Sequence, residues 1–156
     1  MSQIPAALFT SELFDLFEET FVQVDGHYLD RGTSLFETLD TISAEVASRP
    51  IGATCATIAA QVAHVRFYID HLGQFMAGND PGKADWGEIW STISAVTTDE
   101  WDASRASLRD SYQNTRTLMT GFTTWEGEDD IGGALSVLVH TAYHLGEIRQ
   151  ALCTVT

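Results

Sequence analysis

The chain has 156 residues, 44% of them hydrophobic and 19% charged, which is the size and make-up of one globular domain able to bury a core. Its 22 acidic residues outweigh 8 basic ones, for a formal charge of -14, with Lys83 the sole lysine and no cluster of arginines. That balance excludes nucleic acid as a partner, because phosphate neutralisation needs a concentrated basic surface, and it disfavours anionic membranes.

The opening MSQIPAALFTSELFDLFEE has no basic lead-in and soon turns acidic, so it does not read as a secretory signal, and no apolar run is long enough to span a bilayer. Cys55 and Cys153 belong to no CxxC motif and are too few for a disulfide scaffold. The expectation is a cytoplasmic protein with two free thiols.

Apolar residues recur at helical spacing nearly everywhere, and sustained alternation is missing, so the fold class expected is all-α. Phe9, Leu13, Phe17 and Phe21 mark an extra short N-terminal helix that stops before Asp25-Gly26. Leu35, Leu39, Ile42 and Val46 mark a second stretch, from about Asp30 to Ser48, ended by Arg49-Pro50. The two are read either separately or as one interrupted helix. Thr57 is the expected N-cap of the next helix, whose buried stripe is Ile58, Val62, Val65, Ile69, Leu72 and Met76, closing at Gly78.

NDPGKADWGEIWSTISAV follows, too irregular for a long helix and too long for a tight hairpin. TTDE then supplies a capping box at Thr97 and Glu100 for a helix running to about Thr120. After the loop GFTTWEGEDD, a last helix starts near Asp130 or Ile131 and carries Leu138, Leu145, Ile148 and Leu152. Four principal helices in one domain, residues 1–156, point to a four-helix bundle. The long connection between helices 2 and 3 can cross the bundle's full length and leave its flanking helices parallel. Trp86, Trp90 and Trp125, all in connections, are expected over the bundle ends or in the wall of a pocket; Trp101 is expected in the core.

Five histidines stand at 27, 64, 71, 140 and 144. His140 and His144, in HTAYHLGEIRQAL, lie one helical turn apart, on the shoulder of the apolar stripe, so both rings can reach one ion. His64 occupies the same kind of position on its own helix, beside Gln61, Tyr68 and Phe75. If the two helices pack side by side, His64 completes a three-nitrogen set with a coordination position left open, as in catalytic zinc sites. The plainer alternative is that these are half-buried rings satisfied by hydrogen bonds. His71 is about 10 Å of helix rise from His64, too far for the same ion, and His27 is a turn residue. HTAYH lacks the glutamate of HExxH, and Gln61, Val137 and Thr141 stand where ExxH pairs of a di-iron bundle would need carboxylates.

The mid-helix histidine of TIAAQVAHVRFYIDHL, the Trp-containing crossover, and the terminal pattern of His140, His144, Gly146 and Ile148 together resemble the DinB-like (DinB/YfiT) superfamily of metalloenzymes. The likeness runs from about Leu29 to Leu152. It implies a four-helix bundle with a crossover between helices 2 and 3, often dimeric, and a divalent metal on His64, His140 and His144. Zinc or nickel is the first candidate, and iron or copper also suits imidazole.

Relatives commonly have glutamine where this chain has Glu147, which leaves three readings: a partner to a ligand, a fourth ligand, or a solvated carboxylate, the last preferred. The resemblance further implies a thiol-dependent S-transferase of the bacillithiol or mycothiol type acting on a small electrophile, with Tyr68 and Glu147 as candidate supporting groups. The alternative is a metal-binding, stress-associated bundle without turnover. Carboxylate-bearing thiols sit poorly with a chain whose Arg66 and Arg149 project away from the histidine faces, unless a dimer partner supplies the charge.

Overall fold

The computed structural model describes residues 4–52 and 55–156, and for Trp86, Ile89 and Ser91 the backbone alone. Among the described residues all regular structure is helical: α1 (Ala6–Phe21), α2 (Leu35–Asp40), α3 (Ala44–Ala47), α4 (Ile58–Met76), α5 (Trp86–Thr92), α6 (Thr98–Thr120) and α7 (Asp130–Val155). None of them is long and apolar enough to cross a membrane.

The single helix expected from Asp30 to Ser48 is instead two short ones, and local chemistry explains the break. Ser34 caps α2 through a capping box with Glu37, while the Ser43 hydroxyl accepts from Val46 N–H and starts α3 anew. Between them the Ile42 carbonyl accepts the indole N–H of buried Trp101 at 2.7 Å, a bond that fixes the kink to α6. Nor are α1 and α2 one interrupted helix. The loop between them is tied to the fully buried Glu19, whose carboxylate accepts from the backbone N–H of Asp25, His27, Tyr28 and Leu29 at 2.6–3.2 Å. Burial alone would raise the Glu19 pKa, but these four donors outweigh it and hold the carboxyl at about 2.

Thr57 caps α4 and Thr97 caps α6 with the Glu100 capping box, as the sequence anticipates. The crossover is more ordered than expected, since Asp85 accepts from Gly87 and Glu88 N–H and initiates α5 within it.

Helix α4 is central and packs along both α7 and α6. It runs antiparallel to α7, for Gln61 meets His144, His64 meets His140, and Met76 meets Gly133. It runs parallel to α6, since Ala59 and Glu100 share one groove while Gly73 faces Thr115 a few turns on. Helix α1 closes the core on the far side, where Phe21 packs on Tyr112 and the Tyr112 hydroxyl donates to Glu18. Phe17, Phe21, Ile58, Ile69, Leu108 and Ile148 fill the interior. Trp125 sits at the end of the core, its indole donating to Thr10 and its ring against Phe9 and Phe122.

Candidate metal centre

The antiparallel pairing of α4 with α7 decides where the histidines meet. His64 and His140 face each other with their Nε2 atoms 3.1 Å apart. His144, one turn further along α7, brings its ring centroid to 4.8 Å from that of His64 and 4.4 Å from that of His140. One nitrogen from each ring falls within 4.8 Å of the others. Three imidazoles around a tetrahedral ion hold their nitrogens roughly 3.4 Å apart for a metal–nitrogen distance near 2.1 Å, so small ring rotations suffice.

The electrostatics suit a cation ligated by neutral rings. Burial depresses the His64 pKa to about 4, helped by the neighbouring His144 and opposed by Glu147. Burial likewise depresses His140 to about 3, aided by His144 and His64. His144 is lowered by burial too, against the pull of Glu147. The three rings are therefore neutral at pH 7, each with a lone pair to give. Nδ1 of His140 is buried with no hydrogen-bond partner among the described residues.

His144 is held in one orientation. Its Nδ1 lies 2.8 Å from Glu147 Oε2 and 3.3 Å from Gln61 Oε1, so Nδ1 carries the hydrogen and Nε2 turns its lone pair toward the other two rings. This corrects the preferred reading of Glu147 as a solvated carboxylate: it orients a ring of the cluster. Tyr143 adds to the arrangement through a hydrogen bond to Glu147, which raises the phenol's pKa.

Tyr68 stacks face to face on His140, centroids 3.6 Å apart and planes 11° from parallel, which fixes that ring's plane. Trp90, from α5, stacks on His64 with centroids 4.2 Å apart. Gln61 and Glu147 were accessible to sequence reasoning, as each lies one turn from a histidine. Trp90 was anticipated in the wall of a pocket, but its stacking on His64 was not, because nothing in the periodicity dictates the path of the crossover.

His71 stacks on Phe67 and meets Phe75 edge-on, away from the cluster, and His27 donates its backbone N–H to Glu19. An open cleft of about 700 Å³ adjoins His144 and is walled by Trp90, Tyr143, Glu147 and Gln150, with Cys55 at its edge. No family profile, curated protein or solved structure matches this chain.

Proposed function

We propose that His64, His140 and His144 hold one divalent ion, zinc or nickel foremost, in a DinB-like four-helix bundle with a crossover between its second and third long helices. The observation that carries this reading is the convergence of the three rings, with two Nε2 atoms 3.1 Å apart and the third ring oriented by Glu147 and Gln61. The donor set fits such an ion: three neutral nitrogens leave the full charge of the metal and at least one coordination position, the arrangement of a catalytic site and not a closed structural one.

An ion held by His64, His140 and His144 would lower the pKa of a bound thiol or water and make it a nucleophile near neutral pH. The reaction proposed is thiol S-transfer: sulfur gives up its proton to water and forms a bond to carbon as the bond to the leaving group breaks, the leaving group departing with the bonding electron pair into solvent. The protein's own part is positional. Tyr68 and Glu147 orient His140 and His144; neither is assigned a proton transfer. Trp90 flanks His64, and the cleft beside His144 gives a small molecule access. The expected homodimer has an exposed apolar stripe on α7 at its disposal, formed by Ile131, Leu135, Val139 and Tyr143.

Elemental analysis of metal-reconstituted protein tests the centre: about one ion per chain is expected, lost in His64→Ala, His140→Ala and His144→Ala with helical content retained. Unchanged metal content in all three variants would sink the site. Turnover of an electrophile with a panel of low-molecular-weight thiols tests the reaction, and its absence in metal-loaded protein would leave a binding protein without catalysis.

A further inference from the structure

The cleft beside His144 follows one face of α7 through Tyr143, Glu147, Gln150 and Thr154, about 15 Å of helix beyond His144. Among the described residues no lysine or arginine lines it. Arg49 lies near its far end but is committed to Glu45 at 2.7 Å and to the Val155 carbonyl at 2.6 Å. Arg149 turns to the Thr33 carbonyl, and Arg66 lies in the groove between α4 and α6. Among the described residues, the one charged side chain lining the cleft is the Glu147 carboxylate, and the groups beyond it along α7 are the amide of Gln150 and the hydroxyl of Thr154.

Gly146 also lines the cleft. Glycine inside a helix is unfavourable, and neighbours usually explain it by a close approach. Here a Cβ would meet nothing within 4 Å. A side chain at this position would project into open space of the cleft next to His144.

We infer that this cleft binds an uncharged small molecule carrying amide or hydroxyl groups, extended from the three histidines along α7, and discriminates against carboxylates. The inference rests on the three-histidine reading and gives it a substrate class. Beyond the ion, an anionic group would meet the Glu147 carboxylate with no lysine or arginine among the described lining residues to receive it, and the protein's charge of -14 adds long-range repulsion. An uncharged ligand meets hydrogen-bonding groups and the Trp90 side chain.

Cobalt-loaded protein titrated with 6-mercaptohexanamide and with its isostere 6-mercaptohexanoate, whose far ends are too distant from sulfur to close a chelate ring on the ion, tests this through the visible and near-ultraviolet spectrum. The amide is expected to half-saturate at a concentration at least tenfold lower. Gln150→Lys, an exposed change away from the histidines, should cut that preference at least fivefold. Gly146→Leu should weaken the amide at least tenfold with cobalt stoichiometry unchanged. Equal or tighter binding of the carboxylate to the unmodified protein, or indifference of the amide to Gly146→Leu, overturns the inference alone. Failure to take up cobalt overturns the three-histidine reading and the inference with it.

Discussion

Replacing Glu147 separates the two roles a carboxylate can have beside a histidine cluster. Its Oε2 lies 2.8 Å from Nδ1 of His144, the ring nitrogen turned away from His64 and His140, so the substitution removes an orienting bond and leaves the three nitrogens in place. Partners of this kind contribute about 10–100-fold in metal affinity, or about 1.4–2.8 kcal/mol. The Glu147 side chain is 39% exposed, which weakens its bond through competition with water, so Glu147→Ala is expected near the lower figure.

Gln61, at 3.3 Å from the same nitrogen, can take over part of the task. Gln61→Ala alone should therefore cost less than Glu147→Ala, and the double variant more than the two single losses combined. Glu147→Gln keeps an acceptor without its charge and should fall between wild type and Glu147→Ala. Zinc competition against a chromophoric chelator measures all four proteins. Affinity of Glu147→Ala within twofold of wild type would refute the orienting role. A loss above about 1000-fold, with one ligand fewer by X-ray absorption, would identify a fourth ligand instead.

In metal-free protein the lowered histidine values make stability depend on pH. Folded His64 and His140 titrate at about 4 and about 3, below the ordinary 6.5, so at intermediate pH the unfolded chain binds more protons. Their contribution is complete above 6.5 and is lost progressively as pH falls through about 4 and about 3. The urea midpoint of chelator-treated protein should accordingly be lower at pH 5 than at pH 7.5, and a His64→Gln/His140→Gln variant should flatten the difference; an unaltered slope would contradict it. Glu19→Ala strips four backbone N–H groups of their acceptor and should cost about 3 kcal/mol or more, read by thermal denaturation. Two glycines of α7 should respond oppositely in the same assay. A Cβ at Gly133 would lie 2.5 Å from Met76 Cγ, so Gly133→Ala should cost about 1–3 kcal/mol, whereas Gly146→Ala should gain about 0.5–1 kcal/mol.

Those glycines also mark where sequence reasoning reaches and where it stops. Periodicity located α4, α6 and α7, because each long helix must show one apolar face to the core, and Thr57 and Thr97 announced two of their starts through local hydrogen bonding. The spacing of His140 and His144 is likewise a property of one helix. Whether His64 joins them depends on α4 lying antiparallel to α7 at one axial offset, and that offset is set by contacts such as Met76 against Gly133, which no single-helix pattern contains. The division of the Asp30 to Ser48 segment has the same origin. Its apolar spacing suits one helix, but the distant Trp101 indole claims the Ile42 carbonyl and Ser43 caps a new start. Trp90 reaches His64 only because Asp85 nucleates α5 inside a connection whose composition reads as irregular. Chemistry within a turn or two of helix was thus legible as spacing, while chemistry assembled between helices required their register. The cluster joins both kinds: two nitrogens one turn apart on α7, and a third brought from α4 by packing.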